Sequence, residues 1–177
     1  MDQLGLTHIY TGDGKGKTTA ALGLGLRATG RGLRVLVVQF LKGAATGELE
    51  AIARLGPLYR LHRGTEIKKF TWQMNEQEKS HTHLLQEEIL AFAEAEIAAG
   101  SCDLLILDEV LGALGTGMLD LERVVSLVQT KPERLELVLT GRQAPPALID
   151  LADYVSEIHP LKHPMTRGIA ARTGIEH

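Results

Sequence analysis

The sequence predicts a layered α/β domain with a mostly parallel six-stranded sheet and helices on both faces. Three observations carry that prediction. Short β-rich runs alternate with helical stretches along the chain. Several of those runs, "VLVVQF" and "LLILD" among them, are apolar with little alternation, the pattern of strands covered on both sides. The first run passes through a glycine-rich loop straight into a helix. At 177 residues the chain fits one domain, 1–177, with enough length to bury a core without disulfides or metals.

Taken in order, the expected strands are Thr7–Tyr10, Arg34–Phe40, Leu58–His62, Leu104–Leu107, Leu135–Thr140 and Tyr154–Ile158. Between the first two, Lys17–Thr29 reads as a helix stopped by Gly30, and between the second and third, Gly47–Leu55 reads as a shorter one stopped by Gly56. A longer helix begins at Asn75, where Glu78 can complete a capping box and Leu85, Ile89 and Phe92 recur on one face; Gly100 ends it. Leu121–Gln129 precedes Pro132, and a last helix starts near Pro145-Pro146, whose fixed φ suits a first turn.

Composition narrows the function. No apolar run approaches the roughly 18 residues of a membrane span, and the N-terminus lacks the basic start and apolar stretch of a secretory signal, so the expected location is the cytoplasm. With 19 basic and 22 acidic residues and 4% aromatics, the chain lacks the cationic surplus and stacking residues of a nucleic-acid binder. The lone cysteine, Cys102, excludes an internal disulfide and a multi-cysteine metal site, and its place beside Leu104–Leu107 predicts a buried, inert thiol. His81 and His83 lie two apart in a helix and face different ways, which argues against a zinc pair; His159 and His163 flank prolines in an irregular segment and read as loop residues.

"TGDGKGKTT", Thr11–Thr19, nearly matches the phosphate-binding pattern G-x-x-x-x-G-K-[ST], but Thr11 occupies the slot of the first glycine. Gly12, Gly14 and Gly16 allow backbone N–H groups to converge on an anion, and the helix start adds about half a positive charge. Lys17 can reach phosphate oxygens, and the Thr18 hydroxyl is placed to ligate Mg²⁺. Asp13 is the odd member, since a carboxylate beside polyphosphate repels it; the expectation is that it faces solvent or a metal-bound water. "LLILDE" ends in Asp108-Glu109 at a strand's C-terminal edge, where an acid can hold Mg²⁺ or act as a base. No arginine-rich lid for a γ-phosphate stands out; Arg142, Arg167 and Arg172 are the candidates. From these residues alone, a P-loop ATPase or kinase acting at the γ-phosphate and a nucleotide-binding regulatory module both stay open.

In order, "TGDGKGKTTAALGLGLRATGRG", "VVQFLKG", "FTW", "LDE", "LTGR" and "ADYVSEIHPLKHPMTRGIAARTGIEH" make the chain, from about Thr7 to Glu176, resemble the P-loop corrinoid adenosyltransferases. In that family the loop reads T-G-N-G-K-G-K-T-T, so Thr11 and Gly12 fit it. The resemblance implies a P-loop NTPase (RecA-like) fold and a reaction in which Co(I) of a reduced corrinoid, cobalamin or a precursor, attacks C5′ of ATP and releases triphosphate. It implies ATP bound in reverse, Gly12, Asp13, Gly14, Lys15, Gly16, Lys17, Thr18 and Thr19 around the triphosphate, Thr18 and Glu109 on Mg²⁺, and Arg27 at the adenosine end. A homodimer and an electron donor such as a flavoprotein reductase are implied as well.

Phe70 and Trp72 in "KKFTWQ" are two apart, so in an extended segment they point the same way, and by themselves they read as core. The resemblance implies instead that they pack on the lower face of the corrin and displace its axial ligand, easing reduction to Co(I). Three departures stand against the family pattern: Asp13 for the usual Asn, Gly112 where a polar residue is common, and a start only a few residues before the first strand, without the N-terminal extension that helps cover a partner's site in some relatives.

Overall fold

The structure is a computed structural model that describes residues 5–42, 46–65, 67 and 69–175. Gly43 and Lys68 of the quoted stretches, and Glu176 at the end of the likeness, lie outside the described residues. Six strands form one sheet: β1 (Thr7–Thr11), β2 (Val35–Gln39), β3 (Tyr59–Arg63), β4 (Leu104–Asp108), β5 (Glu136–Thr140) and β6 (Tyr154–Glu157). Their order is β3-β2-β4-β5-β1-β6, and every pairing is parallel. The helices are α1 (Lys17–Thr29), α2 (Gly47–Arg54), α3 (Glu76–Ala98), α4 (Val110–Gly115), α5 (Leu121–Thr130) and α6 (Pro146–Ile149).

The apolar strands supply two cores because successive side chains point to opposite faces. Val35, Val37, Leu104 and Ile106 face α1 and α2 in a core that includes Ala21, Ala28 and Ile52. Leu36, Val38, Leu105 and Leu107 face the other way, against Ile89 and Leu90 of α3, Val110 and Leu111 of α4, and Val124 and Leu127 of α5. Each fully buried branched side chain contributes about 1.5–3 kcal/mol. Double burial is why "VLVVQF" and "LLILD" show no polar alternation. Cys102 is buried in the second core, and burial pushes its thiol pKa up, as expected of an inert thiol.

All six strands and five helices match the sequence reading to within a residue or two, and α3 opens with the capping box between Asn75 and Glu78. Two local expectations are corrected. Helix α4, absent from the sequence reading, follows Glu109, whose left-handed φ of 64° ends β4 and redirects the chain. The Phe70–Trp72 segment is a single 3-10 turn, Thr71–Gln73, and not extended. A 3-10 turn closed by the Gln73 N–H on the Phe70 carbonyl at 2.9 Å brings the two rings together, whereas extended spacing would only have aligned them.

One strand, β5, separates the loop strand β1 from the acidic strand β4, as in RecA-like P-loop folds. This sets the site. The C-terminal ends of β1, β2, β4 and β5 all open on one edge, where ligands collect in parallel sheets.

Candidate active site

At that edge the glycine loop wraps a cleft of about 910 Å³. Lys17, Thr18 and Thr19 line it from α1, Glu109 from β4's end, and Phe70 and Trp72 from across the opening. The Lys17 ammonium donates to the carbonyls of Gly12 at 2.6 Å and Gly14 at 2.9 Å, so it bridges the loop it belongs to. Burial lowers its pKa, the Glu109 carboxylate opposes that, and Arg142 adds to it. An ammonium at the N-terminus of α1 is of the kind that suits a polyanion.

Thr11 has a structural task. It is buried, and its hydroxyl accepts from the Ala144 N–H at 3.2 Å, tying the end of β1 to the turn after β5. A glycine in that slot could not make the contact.

The centre of the acidic end is Asp108, whose side chain is 0% exposed. Oδ1 accepts from Thr18 Oγ1 and Thr140 Oγ1, each at 2.7 Å, and Oδ2 accepts from Gln39 Nε2 at 3.1 Å. Lys42 Nζ stands 3.7 Å from Oδ2. The Thr140 hydroxyl also accepts from the Glu109 N–H at 2.9 Å, so β5 fixes both acids. Burial, and then the neighbouring Asp108 carboxylate, raise the pKa of Glu109. Two adjacent carboxylates in low dielectric, beside a threonine hydroxyl, form a hard oxygen set that suits Mg²⁺. Gly112 leaves room for this acid: a Cβ there would lie 2.3 Å from Glu109 Oε1.

Phe70 and Trp72 are 62% and 76% exposed, with rings 4.5 Å apart and 6° from parallel. Large aromatic faces left to solvent at a cleft mouth are unlike core residues, and they form a flat apolar platform. His163 lines the same cleft from the C-terminal segment while its Nδ1 accepts from the Met165 N–H at 3.2 Å, the loop role the sequence suggested. His83 sits near Glu87 and Asp120, with ligand atoms within 4.8 Å of one another, and Arg123 ion-pairs with Glu87 there.

These features together bring a glycine loop with its lysine, an acidic strand end and an exposed aromatic pair to one cleft. Residues 3–177 match the sequence model of the family described as ATP:corrinoid adenosyltransferase BtuR/CobO/CobP. The chain belongs to the ATP:corrinoid adenosyltransferase family. It is 35% identical over 178 residues to a corrinoid adenosyltransferase of Escherichia coli (strain K12), covering 100% of this chain and 88% of that protein. Corrinoid adenosyltransferases of Pseudomonas aeruginosa and Sinorhizobium sp are 37% and 38% identical, covering 99% of this chain in both cases and 85% and 81% of the relatives.

Within this adenosyltransferase, the residues expected from the sequence gather unequally. Asp13, Gly14, Lys15, Gly16, Lys17, Thr18, Thr19, Glu109, Phe70 and Trp72 all line the cleft. Gly12 and Arg27 do not: Gly12 is buried at the start of the loop, its carbonyl accepting from Lys17, and Arg27 is exposed on the last turn of α1, about 15 Å along the helix from Lys17 at 1.5 Å per residue. Asp13 is exposed, as expected, and its Oδ1 lies 3.6 Å from Arg142 Nε. Asp108 as the hub, with Gln39, Lys42 and Thr140, escaped the sequence reading. One signal was there, the single polar residue, Gln39, inside the apolar run "VLVVQF".

Proposed function

We propose that the protein transfers the 5′-deoxyadenosyl group of ATP to the cobalt of a reduced corrinoid, with the triphosphate held by Gly12–Thr19 and the corrin resting on Phe70 and Trp72. The electron pair of Co(I) forms the Co–C5′ bond, the C5′–O5′ bond breaks, and its pair leaves on the triphosphate. The observation that carries this reading is the stacked, exposed aromatic pair facing the same cleft as the glycine loop.

Attack on carbon needs no base, since Co(I) is itself the nucleophile. What the chain must do is hold C5′ in line and stabilise charge collecting on the leaving group. Lys17 and the loop N–H groups do the second. Thr18 and Glu109 would hold Mg²⁺, with Asp108 orienting Thr18 through the 2.7 Å hydrogen bond. Bound there, Mg²⁺ would neutralise part of the charge that the leaving triphosphate gains. Phe70 and Trp72 exclude water and polar axial ligands from the lower corrin face. Arg27 at the adenosine end belongs to the proposal only for a nucleotide that runs out of the cleft along α1.

The homodimer and an electron donor such as a flavoprotein reductase are part of the same reading and rest on the family resemblance, while the cytoplasmic location rests on the N-terminal sequence and the lengths of its apolar runs. No helix among the described residues is long and apolar enough to cross a membrane. Trp72 is the sole tryptophan, which supplies the test. Titrating corrinoid should quench the intrinsic fluorescence to saturation with ATP present; an emission unaltered by bound corrinoid would remove the platform assignment.

A further inference from the structure

Asp13 is the member of the loop that the adenosyl transfer leaves without a task. Its backbone is fixed on both sides. Gly12 has φ 101°, and a Cβ there would lie 2.4 Å from the Ile158 carbonyl oxygen; the Gly14 N–H donates to that same oxygen at 2.7 Å. The loop is thus packed closely against Ile158 on both sides of Asp13. Across the mouth, Arg142 follows a glycine packed closely against α4. Gly141 has φ 141°, and a Cβ there would meet the Gly112 nitrogen at 2.7 Å. Two closely packed turns thus bring an acid and a guanidinium together, with Oδ1 and Nε 3.6 Å apart and both side chains mostly in solvent. Both residues line the cleft in which the loop lies.

We propose that Asp13 is a positioning residue that holds Arg142 at the cleft mouth before nucleotide binds, gives it up to the triphosphate, and then repels the triphosphate product. The inference rests on the phosphate-loop reading of Gly12–Thr19. Its physical basis is competition. An exposed pair is weakly held, and a polyphosphate with several negative charges is the stronger partner for a guanidinium. Once Arg142 has turned, the bared carboxylate stands beside that polyanion. The arrangement weakens triphosphate binding by design of charge, and it does so in a salt-dependent way.

The test is a double-mutant cycle on binding, using ATP and inorganic triphosphate as separate probes in calorimetric titrations of the full chain. Asp13→Asn keeps the shape and removes the charge. It should tighten both probes by about three- to tenfold at low salt and less at high salt. In the Arg142→Gln background the gain should fall to about twofold or less, because there is no longer a pair to break. Equal gains in both backgrounds would overturn the exchange, as would no gain in the wild-type background. Lys17→Ala keeps the two readings apart. If that variant still binds ATP normally, the loop assignment fails; if it loses ATP while Asp13→Asn changes nothing, only the present inference fails.

Discussion

The hydroxyl of Thr18, the second residue of α1, donates to Oδ1 of Asp108, the last residue of β4, at 2.7 Å. This bond ties the helix that follows the phosphate loop to the acidic strand end, although β5 separates β1 from β4 in the sheet. Asp108 is buried and meets three donors, so it cannot lose its second acceptor oxygen without leaving a polar group unpaired. Asp108→Asn should cost about 1–3 kcal/mol of stability in urea unfolding and reduce turnover sharply. An unaltered midpoint with full activity would show that the hub is dispensable.

Lys17→Ala tests the loop. The ammonium is the one side-chain cation that bridges the Gly12 and Gly14 carbonyls. A charge-assisted hydrogen bond from this ammonium to a phosphate oxygen would be worth about 1.5–3 kcal/mol, which predicts an ATP affinity lower by about ten- to a hundredfold. Equilibrium titration with ATP measures it directly.

Trp72→Ala should leave ATP affinity unchanged while impairing the corrinoid step. The residue is 76% exposed and stacks on Phe70, so its loss opens no cavity in the core. ATP titration and the rate with Co(II) corrinoid plus reductant are the paired readouts. A variant as fast as the parent protein would sink the platform role.

Asn75→Ala probes the link between the platform and its support. Asn75 Oδ1 accepts from the Glu78 N–H at 2.9 Å and caps α3 just after the 3-10 turn. Its removal should cost about 1 kcal/mol. It should also weaken corrinoid binding more than ATP binding, read by the same two titrations.

Glu109 gives the pH dependence. Its folded pKa is raised above the ordinary 4.5 by burial and by Asp108. Between those two values the folded chain binds more protons than the unfolded one, so stability falls as pH rises through the folded pKa. Glu109→Gln should remove that slope and make the metal-free protein more stable near neutrality. Added Mg²⁺ with ATP should then stabilise the parent protein more than the variant in thermal unfolding. Identical pH slopes for the two proteins would rule out Glu109 as the source.

Much of this was legible in the sequence. Strands buried on both faces have no polar alternation, so their positions and parallel pairing could be read from "VLVVQF" and "LLILD". Helix α1 could be placed between Lys17 and Gly30 because both ends carry local signals. Helix α4 could not: it has six residues and starts from the left-handed Glu109, whose N–H is held by the Thr140 hydroxyl of β5. The aromatic pair was visible as a pair, but its 3-10 turn depends on contacts beyond its own spacing. The role of Asp108 was hidden for a similar reason. Thr18, Thr140 and Gln39 come from three separate elements and meet only when the sheet order is known.

The account stands on what happens to the nucleotide. In the dark and without oxygen, the protein should be given ATP, Mg²⁺ and a chemically reduced corrinoid, and every product should be counted. The account predicts one inorganic triphosphate for each light-sensitive alkylcobalt species, and neither without corrinoid. ADP and phosphate formed at the same rate with or without corrinoid would contradict it.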